Sequence, residues 1–155
     1  MNKAEQAIST LLATCRIGFL ATQGPNGPET SMAPYALCAG DVLLHLSALA
    51  PHNRHIRAHA SAGFMICTPQ SAMDSPLALP RLALQGGVTS VPDAGLRTAR
   101  QTYLTAIPEA EELFSFADFT LFRLRPERIR WVGGFGSARD ISPDEWRRIS
   151  ACADD

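Results

Sequence analysis

Asn26-Gly27 constrains this chain more than any other two residues. An Asn-Gly pair is a strong hairpin signal, because a type I′ turn needs positive φ at both central positions. It lies between the apolar run Arg16 to Thr22 (RIGFLAT) and a second strand candidate, Thr30 to Cys38, in which Pro34 marks an edge or a bulge. A hairpin this early sets the later strands into antiparallel order. Ala39-Gly40-Asp41 predicts the next turn and Val42 to Ser47 (VLLHLS) the third strand. Gly63 to Thr68 reads as a fourth strand and Arg81 to Ser90 as a fifth, where Gly86-Gly87 suggests a bulge or a close backbone approach. Phe119 to Leu124 and Arg128 to Val132 read as two more, around an Arg125-Pro126-Glu127 turn.

Helices fill the gaps. Ala7, Ile8, Leu11, Leu12 and Cys15 form a helical stripe, predicting a helix over 4–15. Pro51 to Ala60 reads as a short helix with Pro in its first turn, where the absent N–H costs nothing. Asp93 to Thr105 predicts a third helix, with Asp93 as its cap and Pro108 ending it, and Glu109 to Phe114 adds a helical turn. Ser142-Pro143-Asp144-Glu145 is a capping box, predicting a helix over about 142–152. With no internal repeat and no linker, the 155 residues form one domain, 1–155, with its barrel over about 16–135. Hairpin-ordered strands with intervening helices make a mainly β, α+β protein: an antiparallel barrel of six or seven strands. Strands one, three and four are apolar nearly throughout, so something must cover the barrel's outside. Helices cover part; a second copy would cover the rest, which predicts a homodimer.

Charge and composition exclude several functions. The 14 basic and 15 acidic residues leave a net charge of -1, without the basic excess that nucleic acid or an anionic membrane would call for. Thirteen of the 14 are Arg and Lys3 is the one Lys, which argues against Schiff-base chemistry; no phosphate loop of the G-x-x-x-x-G-K-[ST] type occurs. The four cysteines contain no C-x-x-C, poor for zinc or a disulfide framework. No apolar run approaches the ~18 to 20 residues of a spanning helix, and Met1 to Thr14 lacks a leader's apolar region. The expectation is a reduced, soluble, cytoplasmic protein.

The densest polar cluster runs from Ser47 through His52, Asn53, Arg54, His55 and Arg57 to His59, where a strand hands over to a helix. Free N–H groups, hydroxyl, imidazole and guanidinium donors there suit a phosphate or carboxylate; a solvated cationic helix is the plainer alternative. His52, His55 and His59 could bind zinc, but Arg54 and Arg57 stand among them with no evident carboxylate, so no metal site is expected. His45, alone in an apolar strand, reads as a core residue. The run Trp131-Val132-Gly133-Gly134-Phe135-Gly136 is no dinucleotide fingerprint. It either lets backbone pass close to a flat ligand, with Trp131 or Phe135 against the ring, or forms a turn with core aromatics. Gln85 could bond a heteroaromatic edge or face water, and Ser31 could contact a phosphate or line the sheet. Arg123, Arg125, Arg128 and Arg130 read as a charged sheet face, paired with Glu127. No nucleophile–base set and no carboxylate pair stands out, so redox chemistry would need a bound cofactor.

The order of these motifs carries a resemblance. Ile17 to Thr22 with Asn26-Gly27, Ser31 to Leu37, Leu44 to Ser47 with Ala50 to Arg54, Arg81 to Gly86, Ala117-Asp118-Phe119 and Trp131 to Gly136 span nearly the whole chain. The chain resembles the FMN-binding split-barrel superfamily, the pyridoxamine 5′-phosphate oxidase-like proteins, nearest the branch related to haem-utilisation proteins. The resemblance implies a split barrel in a homodimer, with a cofactor pocket at each end of the subunit interface. It implies that Ser31, Ser47, His52, Asn53 and Arg54 hold the FMN phosphate, that Gln85 reaches the isoalloxazine, and that Trp131 with the glycine run approaches it across the interface. There are departures. Ser31 stands where pyridoxamine-phosphate oxidases usually show Arg, and only Lys3 exists, so that reaction is not expected. No His follows His59, which leaves haem only His45 or the helix histidines. The resemblance thus implies an FMN-binding oxidoreductase served by a reduced nicotinamide or small substrate. The alternatives are a haem-binding, haem-utilisation protein and a non-catalytic cofactor-binding module.

Overall fold

The computed structural model describes residues 1–152. The first helix, α1 (Lys3–Thr14), starts in a full capping box: Asn2 Oδ1 accepts from the Glu5 amide at 2.9 Å and Glu5 Oε2 accepts from the Asn2 amide at 2.8 Å. Strands β1 (Ile17–Gly24), β2 (Gly27–Pro34), β3 (Ala36–Cys38) and β4 (Asp41–Ser47) come next, and then α2 (Pro51–Ala58). The chain continues through β5 (Ser61–Cys67), β6 (Arg81–Ser90), α3 (Asp93–Ala106), β7 (Phe119–Val132), β8 (Ala138–Ile141) and α4 (Pro143–Ala151). The sheet is antiparallel and eight-stranded, in the order β2-β1-β5-β6-β7-β4-β3, with β8 added along β7. Its two end strands, β2 and β3, are consecutive in the chain. The architecture is the mixed α+β split barrel expected, with eight strands rather than six or seven.

Four local expectations change. The first hairpin forms, but its two-residue turn is Pro25-Asn26, since Gly24 pairs with Gly27. Proline cannot take positive φ, so the turn is not type I′; Gly27 instead supplies the left-handed residue at φ 123°. Asp93 is the first residue inside α3, with Pro92 at the cap position. In α4, Ser142 Oγ accepts from the Glu145 amide at 3.2 Å, while the Glu145 carboxylate turns to Arg139 at 2.6 and 3.1 Å instead of returning to the cap. Arg125-Pro126-Glu127 is no turn: β7 runs unbroken for 14 residues. A register shift between Gln85 and Gly86 admits the proline, which stands opposite Gly86.

The barrel interior alternates as a half-buried sheet should. Leu20, Phe64, Ile66, Leu82, Leu84, Leu44 and Trp131 point inward, and α1 and α4 close over them through Ile8, Leu11, Trp146 and Ile149. A second cluster lies outside the barrel, where Leu43 and Leu121 meet Ala99 and Tyr103 of α3 and Ile107 just beyond it. The expected charged face is differently paired. Arg123 and Arg125 both converge on Asp41, each at 3.4 Å, and Arg130 meets Asp140 at 3.0 Å. No helix is long and apolar enough to cross a membrane among the described residues.

Candidate functional site

Where β4 ends, the chain turns sharply into α2. Ser47 Oγ fixes the turn, donating to Asp118 Oδ2 and accepting from the Leu49 amide, both at 3.1 Å. The helix starts after Ala50, which offers no side-chain cap. Pro51 has no N–H and the Asn53 amide donates to the Ala50 carbonyl at 3.2 Å, so the first-turn N–H without a partner among the described residues is that of His52. Asn53, 1% exposed, pins α2 to β4: its Nδ2 donates to the Leu46 carbonyl at 3.1 Å and its Oδ1 accepts from Arg57 Nε at 2.8 Å. Arg57 continues to Thr120 Oγ1 at 3.2 Å.

Two histidines bind the same helix to the first hairpin. His52 Nδ1 lies 3.2 Å from Ser31 Oγ on β2. His55 is fully engaged, with Nδ1 at 2.9 Å from Thr22 Oγ1 and Nε2 at 2.9 Å from Glu29 Oε2. Burial, with the nearby His55 as the smaller cause, pushes the His52 imidazole below its ordinary value and keeps it neutral. His52 Nε2 and the Arg54 guanidinium have no hydrogen-bonding or ionic partner among the described residues. Of the sequence candidates, the structure thus gathers Ser31, Ser47, His52, Asn53 and Arg54 at one corner. Ser47 and Asn53 are occupied by internal bonds; Ser31, His52 and Arg54 face what lies outside.

Gln85 stands elsewhere, on the outward face of β6, in a row with Gly63 of β5 and Ala21 of β1. Trp131 is 1% exposed and part of the barrel core. The glycine run makes the turn from β7 into β8, with positive φ at Gly134 and Gly136. Among the described residues no three His, Cys, Asp or Glu side chains group as metal ligands, and all four cysteines are free. Sequence reading alone passed over Thr22 and Glu29. The register decides it: with the turn at Pro25-Asn26, Thr22 and Glu29 are cross-strand partners on one face, whereas a turn at Asn26-Gly27 would have paired Thr22 with Ser31.

The family model described as "CREG, beta-barrel" matches residues 6–148. The chain belongs to the CREG beta-barrel family. This family member is 28% identical over 137 residues to the chloroplastic non-canonical heme oxygenase HOZ of Arabidopsis thaliana, covering 86% of this chain and 41% of that protein. Among solved structures it is similar to a heme binding protein from Mycobacterium smegmatis, at 31% identity and TM-score 0.86, over 96% of this chain and 61% of the other. The chain therefore spans less than two thirds of either. A FAD-binding protein from Mesorhizobium loti, 16% identical with TM-score 0.65 over 91% and 96% of the two chains, shares the fold.

Proposed function

We propose that this CREG-family barrel is a haem-binding protein, gripping the tetrapyrrole at the corner of β2, β4 and α2, and that it works as a homodimer. The observation that carries the reading is His52. Ser31 holds its Nδ1, burial keeps the ring neutral, and its Nε2 is left without a partner. An imidazole oriented through one nitrogen and open at the other is arranged to ligate a metal. Arg54 beside it and the uncapped start of α2 suit a propionate carboxylate. The relatives named for haem, similar over most of this chain, support the same choice. Bound iron porphyrin would supply redox chemistry that no side chain here offers. The protein's own residues bind, orient and exclude water.

The second reading is FMN, favoured by that uncapped helix start, which would receive a phosphate as readily as a carboxylate. In it Gln85 would serve the isoalloxazine, Trp131 being taken up by the barrel core, and a reduced nicotinamide would be the hydride donor. Either guest is a planar ring with an anionic tail. The dimer is supported by the outward face of the first hairpin and β5. Ile17, Phe19, Met32 and Met65 are each between 40% and 56% exposed there, and Phe19 pairs in register with both methionines.

Titration of the purified protein with haemin, and separately with FMN, tests this. The expected result is a saturable Soret shift with haemin, with affinity lower by about tenfold or more in His52→Ala and in Arg54→Gln, and no quenching of FMN fluorescence. Quenched FMN with an unchanged haemin spectrum would transfer the corner to the flavin. A response to neither would leave a barrel without cofactor chemistry and overturn both readings.

A further inference from the structure

On the opposite side of β4 from the barrel core lies a feature that the proposed haem corner does not use. His45 projects outward from β4, and its ring stacks on Phe114 at 3.8 Å between centroids and 9° between planes. Phe119 tilts against it at 5.0 Å and Tyr103 at 5.8 Å. A cavity of about 300 Å³ opens beside this stack, lined by His45, Phe114, Phe119, Asp93, Arg100 and Thr120. Its volume holds one substituted ring, at the small end of ligand pockets, and no tetrapyrrole.

Apart from the Asp93 carboxylate, the polar groups that face it are donors. His45 Nδ1 is buried with no partner. Burying an N–H without an acceptor is rarer than burying a lone pair, so the imidazole's proton belongs on Nε2. Burial first, and Arg100 second, push this imidazole down to about 4, so the ring is neutral and carries one proton only. Thr120 borders the cavity from the neighbouring strand, but its Oγ1 is turned to Arg57 of α2 at 3.2 Å, on the face of the sheet opposite His45. The Arg100 guanidinium lies 5.1 Å over the Phe114 ring and has no carboxylate partner among the described residues. Two aromatic walls, a guanidinium and an imidazole N–H thus surround a small space whose single acid, Asp93, stands in the first turn of α3.

We propose that this cavity is a second binding site, for a small aromatic monocarboxylate. The ring would lie against Phe114 and Phe119 and the carboxylate against Arg100 and His45 Nε2. Asp93 would disfavour a second negative charge, so a dicarboxylate should bind worse than a monocarboxylate.

The test is an NMR titration of the full chain with benzoate, monitoring the His45 ring resonances, with benzyl alcohol and phthalate as comparisons. The expected result is a saturable shift with benzoate, weaker by about tenfold or more for benzyl alcohol and for phthalate, and by a similar factor in the exposed-site variant Arg100→Gln. Equal affinity for benzyl alcohol, indifference to Arg100→Gln, or no saturable shift at His45 would each overturn the proposal. Haemin binding is read by absorbance at a different corner, so either outcome here leaves that question separately decided.

Discussion

Asn53 is the residue whose side chain is most completely committed to the fold. Its amide joins the Leu46 carbonyl to Arg57 inside a corner from which solvent is excluded. Removing a buried group that serves two partners strands both of them, at a cost of about 2 kcal/mol. Asn53→Ala should therefore lower the urea midpoint without altering the m-value. An unchanged midpoint would return Asn53 to the ligand-facing set. The residue types at this corner were legible in the sequence because hydroxyl, imidazole, amide and guanidinium cluster within a few positions of one another. Their division of labour was not. Which nitrogen of which histidine is free depends on Ser31, Thr22 and Glu29, brought in by a hairpin 21 to 33 residues away in sequence. Trp131 shows the same limit, since an aromatic beside glycines can face a ligand or the core, and the strand's inward phase decides for the core.

Among the elements, β6 and β7 depend on one point of contact. A Cβ at Gly86 would stand 1.8 Å from the Arg125 carbonyl oxygen, backbone against backbone, whereas one at Gly87 would meet nothing nearer than 3.8 Å. Gly86→Ala should thus cost about 3 kcal/mol or more, or abolish folding, while Gly87→Ala should stay within about 1 kcal/mol of the parent. Chemical denaturation of the pair measures the difference, and equal effects would contradict the bulge. The two glycines announced a close approach in the sequence. Pro126 did not announce that it was the neighbour being approached. A proline between two strand-like runs is a turn by every local rule, and only the pairing of β7 with β6 removes the need for its N–H at that spot. The missed β8 has a similar cause, because four residues carry too little pattern to read as a strand before β7 is there to receive them.

At the scale of the whole molecule, Ile17, Phe19, Met32 and Met65 form an exposed apolar row on the outer face of the sheet, the surface on which the proposed dimer rests. Phe19 lies at its centre, flanked in register by Met32 and Met65. Phe19→Glu, on the exposed face, should leave the fold intact and shift sedimentation from dimer toward monomer. A parent protein that sediments as a monomer at all concentrations would remove the homodimer. The continuous apolarity of strands one and four was legible in the sequence and is seen as exposed apolar side chains; Met32 was hidden because β2 is otherwise polar and small.

The 14-residue β7 touches β4 with its first half, β6 along nearly all its length and β8 with its end. As the chain leaves the ribosome, everything before Phe119 emerges first. Until β7 arrives, β4 and β6 each carry an edge with no strand to receive its hydrogen bonds. Closure is thus postponed until β1 through β6 are already made, and the interval before it is when a chaperone, or another nascent copy, would find the most to hold.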